Sequence, residues 1–255
     1  GQLTAQAREL SLTVGTNRFD QLHFDLQTGL ALNNYELILA DSLSLTIGQG
    51  DTTLAGADGS ISVNLNTGET RVQLNAESEL PALLARFPVP DLKVQSGRLT
   101  LAGLFHQGQG KTNLTASANL SGLNGRYLDT PLVGVNGRLE SDLGVVGEVL
   151  ELRRVSLTGQ RGVVAGGVVD LSGRVNLNTL ASDLKLSLAG LNQHALGIFV
   201  DPMIAPLKLR SVALDGLATV QYVPVGTSTV SLETSLLKML LEDRARRLPG
   251  EPMSF

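Results

Sequence analysis

The chain has 255 residues, of which 42% are apolar and only 17% charged, with a net charge of −4. That length and apolar share exclude a disordered chain and suffice for one large all-β domain or two smaller ones. A weak acidic charge without a basic block argues against nucleic acid, and zero cysteines exclude disulfides and thiolate metal sites.

In chain order, Leu10, Leu12 and Val14 share one parity before a turn at Gly15-Thr16-Asn17. Leu22, Phe24 and Leu26 alternate with Gln21, His23, Asp25 and Gln27, and Leu43, Leu45 and Ile47 alternate with Ser42, Ser44 and Thr46. Ile61, Val63 and Leu65 lead into a turn at Asn66-Thr67-Gly68, with Val72 and Leu74 beyond it. Leu114, Ala116, Ala118 and Leu120 alternate with Asn113, Thr115, Ser117 and Asn119; Leu184, Leu186 and Leu188 form a further stripe. A period of two predicts strands of a mainly antiparallel sheet, oily on one face and joined by hairpins. Leu150 and Leu152 have one parity and Val155 and Leu157 the other, which predicts a β-bulge at Arg153-Arg154.

Two segments break the period. In 78–87, Leu80, Leu83, Leu84 and Phe87 have helical spacing, with Ser78 as the expected cap and Pro81 in the first turn. In 191–199, Leu191, Ala195, Ile198 and Phe199 share a side, with Asn192 as cap. Both helices are short and read as plugs rather than a layer. The stretch 231–247 fits a helix through Leu236, Leu237, Leu240 and Leu241. It fits strand through Val230, Leu232, Met239 and Leu241 with one slip, and strand is the expectation.

Each helix precedes a similar segment, Leu92-Lys93 in one case and Leu207-Lys208 in the other, 115 residues apart. That is too long for a solenoid coil and suits a module of several strands plus one helix. The expected modules are 1–77, 78–189 and 190–255. The chain opens Gly1-Gln2-Leu3 and closes Met253-Ser254-Phe255, so a segment of a longer, elongated protein is expected.

Motifs of chemistry are weak. Gly110-Lys111-Thr112 lacks the glycine five residues earlier, where Phe105 stands, so it reads as a polar hairpin turn rather than a phosphate loop. Gly48-Gln49-Gly50-Asp51 and Gly56-Ala57-Asp58-Gly59 lack the tandem copies of a calcium roll and read as turns supplying positive φ. His23 on a polar strand face, His106 in a hairpin loop and His194 on a helix have no metal spacing. The carboxylates Glu77 and Glu79, Glu140 and Asp142, and Glu242-Asp243 fall in polar breaks or a terminal segment and read as solvated; no tryptophan offers a sugar platform. Asn113-Leu114-Thr115 and Asn119-Leu120-Ser121 match the glycosylation pattern but read as polar-face strand residues. No catalytic residue, metal or cofactor is expected.

The aliphatic stripes therefore carry the functional reading. They suit equally the inner face of a closed sandwich or barrel and an open groove that takes lipid. Length (strands of ten or more residues span about 33 Å), scarce aromatic filler (six Phe, three Tyr) and repetition point toward a continuous trough.

Leu157-Thr158-Gly159-Gln160-Arg161-Gly162-Val163-Val164-Ala165-Gly166-Gly167-Val168-Val169-Asp170-Leu171 resembles the hairpin ending in G-x-V-D-L of the AsmA-like and TamB-like envelope proteins of Gram-negative bacteria. Leu92-Lys93-Val94-Gln95-Ser96-Gly97-Arg98-Leu99 is similar to that family's segment after a short helix; Leu207-Lys208-Leu209-Arg210-Ser211 departs from it, with Val212 where Gly97 stands. Leu241-Glu242-Asp243-Arg244 is similar to the family's L-x-x-E-D strand. The resemblance implies an all-β, elongated and curved repeating β-groove, held at the inner membrane by a part outside this segment, periplasmic, and linked to phospholipid transport and outer-membrane integrity. It supplies no catalytic residue. The expected groove residues are Leu22, Phe24, Leu26, Leu43, Leu45, Leu114, Leu120, Leu184, Leu186 and Leu188. The expected partners are phospholipid acyl chains and envelope membranes. Arg154, Lys93 and Lys208 read either as head-group contacts or, more simply, as scattered surface cations. The competing reading is a structural or adhesive β-sandwich or β-helix stalk with a closed core.

Overall fold

The structure, a computed structural model, describes residues 1–14 and 17–243. Its elements are β1 (Gln2–Val14), β2 (Asn17–Asn33), β3 (Leu37–Gln49), β4 (Thr52–Asn64), β5 (Thr70–Glu79), α1 (Leu80–Arg86), β6 (Leu92–Gly108), β7 (Lys111–Tyr127), β8 (Thr130–Val146), β9 (Val149–Arg161), β10 (Val164–Asn176), β11 (Ser182–Asn192), α2 (Gln193–Met203), β12 (Leu207–Tyr222) and β13 (Thr229–Asp243). All thirteen strands form one antiparallel sheet in sequence order, open between β1 and β13. The predicted turn at Gly15-Thr16 lies outside the described residues, as does 244–247 of the ambiguous stretch; up to Asp243 that stretch is strand.

Among the described residues the turns fall at or beside the predicted positions, with two corrections: Gly48 and Gln49 still belong to β3, so only Gly50-Asp51 turns there, and the segment 56–59 is strand. Between β6 and β7, Gln109 (φ 51°) and Gly110 (φ 71°) form a two-residue turn with both φ positive, the kind whose twist matches the flanking strands. The segment Gly56-Ala57-Asp58-Gly59 is not a turn; it lies inside β4. Gly59 is required there because a Cβ would stand 2.1 Å from the Gln73 carbonyl oxygen and 2.8 Å from Leu74 Cδ2. A strand glycine here marks close approach, not a bend.

The turns also define the repeat. Between β4 and β5 the Asn64 side-chain oxygen accepts from the amides of Asn66 (3.0 Å) and Thr67 (2.9 Å); between β10 and β11 Asn176 accepts from Asn178 (3.0 Å) and Thr179 (2.8 Å). A helix follows the next strand in both cases, so the unit is six strands and one helix. The expected module boundaries at 77/78 and 189/190 fall within β5 and β11.

Helix α2 is capped as predicted: Asn192 accepts from the His194 amide at 2.9 Å, and the helix runs on to Met203, past the expected end at 199. Helix α1 differs. Ser78 is a β5 residue whose hydroxyl donates to the Leu54 carbonyl at 2.6 Å, so it is not the cap; Glu79 holds that position without a side-chain cap bond. The bulge at Arg153 is present: Asp142 pairs with Arg154 and Leu143 with Leu152, leaving Arg153 as the extra residue.

Both helices lie on the apolar face at one end of the sheet. Leu22 on β2 and Leu54 on β4 meet there and pack with Ala82 of α1. Strands two apart are separated by about 9.5 Å in a flat sheet, so this contact across β3 reflects a sheet curved toward its apolar face. A second cluster joins Leu80 of α1, Leu123 and Leu132, with Ile198 of α2 packed against it. Away from that end, strands pack only on their sequence neighbours and the helices; no second sheet lies on the apolar face among the described residues.

Candidate functional site

The register puts aliphatic side chains in rows that cross the sheet. One row runs Ala5, Leu26, Leu45, Ala57, Ala76, Leu101, Ala118, Leu139, Leu157, Val169, Leu188, each directly opposite the next, one per strand from β1 to β11. Beside it run Leu43, Gly59, Leu74, Gly103, Ala116, Ser141, Val155, Leu171, Leu186. The row between them, Gln27, Ser44, Asp58, Asn75, Ala102, Ser117, Glu140, Ser156, Asp170, Ser187, points to the other face. Alternation within each strand has become two chemically distinct faces because directly opposed residues of antiparallel strands share a side.

The apolar face is hollow at its centre. A cavity of about 520 Å³ is bordered by Leu43, Leu45, Leu74, Leu101 and Leu139, with Ala57, Ala76, Gly103, Ala116 and Ala118 as its floor. Small residues on the middle strands set the depth, and leucines set the walls. Its walls stay wet in the free chain: Leu74 is 42% exposed, Leu101 46% and Leu139 40%. Its size falls in the range of small-molecule sites, about 300–1,000 Å³.

The ten expected groove residues all lie on this face. Leu26, Leu45 and Leu188 sit in the first row, Leu43 and Leu186 in the second, and Leu114 and Leu184 in the one beyond. Phe24, opposite Ile47, and Leu120, opposite Leu99, lie toward the helices. Leu22 is buried beneath α1. Only Leu43 and Leu45 border the central cavity. Leu101 and Leu139 were missed as groove residues because small residues interrupt their stripes, Gly103 after Leu101 and Gly137 and Ser141 on either side of Leu139; Leu74 stands in a short stripe between Val72 and Ala76. The cross-strand row, not the strand, carries that signal.

The polar face is held by ion pairs. Arg98 lies 2.7 Å from Glu79, Arg153 2.7 Å from Asp142 and Arg174 3.3 Å from Glu151; Arg138 pairs with Glu140 and Arg210 with Glu242. The carboxylates expected in polar breaks are therefore strand residues, and most are paired rather than merely solvated. His106 also belongs to a strand, β6, not to a loop, and its Nε2 lies 2.8 Å from Glu69 Oε1. Hydrogen bonds from His106 and then Arg71 hold the Glu69 carboxyl below the usual carboxylate range. Arg154 faces Asp170 at 3.4 Å, and Lys93 and Lys208 alternate with inward Leu92, Val94, Leu207 and Leu209. All three cations thus stand on the polar face, away from the hollow.

Among the described residues no group of three or more histidines or carboxylates could hold a metal, and no helix is long and apolar enough to cross a membrane. Comparison with protein-family models, with curated proteins and with solved structures found no match.

Proposed function

We propose that this chain is a non-enzymatic hydrophobic groove for phospholipid acyl chains, acting in lipid transport and outer-membrane integrity in the periplasm of a Gram-negative envelope. The observation that carries the reading is the aliphatic row that crosses eleven strands and remains half exposed, with a hollow at its centre. An exposed apolar surface of that continuity marks an interaction site. Hydrocarbon suits it: each methylene removed from water contributes about 0.8 kcal/mol, with no need of a named polar contact. The resemblance in 92–99 and 157–171 to AsmA-like and TamB-like proteins supports the same reading and supplies the compartment.

Native mass spectrometry of the purified chain tests it, together with titration by a fluorescent fatty acid. Phospholipid adducts and saturable probe binding are expected, both lost in Leu101→Asp/Leu139→Asp while the far-ultraviolet β signal is kept. A clean unliganded mass without probe binding leaves a rigid spacer and overturns the groove.

A further inference from the structure

We infer that the free edge of β13 docks an extended polypeptide strand, paired antiparallel in the register of β8 and carrying a basic residue opposite Glu233. This goes beyond the acyl-chain reading and does not depend on it, because β13 lies outside the hollow.

The repeat supplies the template. β6 meets β7 through Val94↔Gly125, Ser96↔Asn124 and Arg98↔Ser121, with two register shifts; β12 meets β13 through Leu209↔Leu241, Ser211↔Leu240 and Ala213↔Leu237, with the same two shifts. β13 is thus the counterpart of β7. The bulge is copied as well: the Gly122 carbonyl (φ 61°) accepts from the Ser96 hydroxyl at 3.1 Å, and the Lys238 carbonyl (φ 55°) accepts from the Ser211 hydroxyl at 2.6 Å. On the other side of β7 the Gly122 amide donates to the Asn136 side chain of β8 at 2.8 Å. β1 has the same outline. Its pairs with β2, Ala7↔Phe24, Leu10↔Leu22 and Leu12↔Phe19, repeat the β7–β8 pairs Leu120↔Gly137, Leu123↔Val135 and Gly125↔Leu132 at one constant offset. Both neighbours that this type of strand has on that side therefore share one register. On β13 that side has no strand among the described residues.

Nothing in β13 guards this edge. Exposed edges are blunted by proline, by inward-pointing charge or by a bulge that spoils pairing. β13 runs fifteen residues without proline, and Val230, Leu232, Thr234 and Leu236 on its apolar face carry no charge. Its bulge is the one β7 carries while paired on both sides. Val230 and Leu232 are 72% and 67% exposed, against 37% for Leu114, the β7 counterpart of Val230. An extended strand added here gains main-chain hydrogen bonds and covers those side chains together. Copies of this chain set head to tail do not fit: β1 and β13 run in the same direction, so they would pair in parallel, unlike every pair in this sheet. Charge narrows the partner further. Ser117 of β7 faces Glu140 of β8, and the counterpart of Ser117 on β13 is Glu233, exposed and unpaired among the described residues. Like charges directly opposed in a sheet repel, so the strand that fits carries Lys or Arg where β8 carries Glu140.

The test is fluorescence anisotropy of a labelled peptide with the sequence of β8, residues 130–146, added to the full chain in its parent form and with Glu140→Lys in the peptide. Saturable binding is expected, about fivefold tighter for the Glu140→Lys peptide, with the preference reversed on the Glu233→Lys chain. Hydrogen exchange should slow in 229–243 and not in 2–14. Val230→Lys/Leu232→Lys in the chain should abolish binding while the far-ultraviolet β signal is kept and fluorescent fatty-acid binding by the hollow is unchanged. Those two readouts show the variant to be folded and distinguish failure of the edge from failure of the groove. No peptide binding, equal binding of a scrambled peptide, displacement of the peptide by fatty acid, protection of β1 in place of β13, or a dimer of the chain that excludes the peptide would each overturn the inference.

Discussion

Two regions of one apolar face differ in a single respect. At the helix end the chain covers its own leucines: Leu123 and Leu132 lie under α1, and Leu191, Leu209 and Val212 are likewise buried. Across the middle, Leu101, Leu139 and Leu157 have the same chemistry, the same strand geometry and no cover. Exposure in the middle is therefore not a failure of the sequence to supply hydrophobic partners; it supplies them at one end and withholds them from the rest. The small floor residues Ala57, Ala76, Ala116 and Ala118 make the same point, since a face meant to pack on a second sheet would fill that space.

Truncation at the two ends of that comparison should give unequal costs. Leu132→Ala empties a site that is 3% exposed and should destabilise by about 2–5 kcal/mol, read from the urea midpoint. Asn192→Ala removes the α2 cap and should cost about 1 kcal/mol. Ser78→Ala, which caps nothing, should leave helix content unchanged by circular dichroism while loosening the β4–β5 contact at Leu54. Leu101→Ala, already half in water, should cost under about 1 kcal/mol; a cost equal to that of Leu132→Ala would show that the middle is covered in solution and would dissolve the contrast. The smallest effect belongs to the surface. Because the folded Glu69 carboxyl titrates below its ordinary range, its contribution is present above that range and lost as pH falls through the folded value. Glu69→Gln should therefore lower the Tm slightly at neutral pH and not at all in acid, where the parent has lost the same interaction.

Much of this architecture was legible in the residues. The alternations at 22–26, 43–47, 114–120 and 184–188 became strands, the parity change at Arg153-Arg154 became a bulge, and Asn192 became a cap, because each is a short-range consequence of side-chain direction or of one hydrogen bond. The misreadings were of another kind. Ser78 has the chemistry of a cap and was taken up instead by a carbonyl 24 residues earlier. Gly59 reads as a turn residue and is instead the place where β5 leans on β4. His106 looked like a loop residue because its strand continues to Gly108 through polar positions, held by pairing with β5 and β7. The wall residues Leu101 and Leu139 sit in strands whose own stripes are broken by Gly and Ser, Leu74 in a short stripe with Val72, and they line one hollow only across the sheet.

What the amino-acid order settled unaided was local: period-two strands, their turns, two short helices and the repeat of strand, helix, strand. Those follow from backbone sterics and hydrogen-bond reach over a few residues. Only the tertiary structure decided which leucines are roofed, that both helices gather at one end, and which cations find carboxylates. Those depend on register summed over thirteen strands and on sheet curvature, to which residues a hundred positions apart contribute equally.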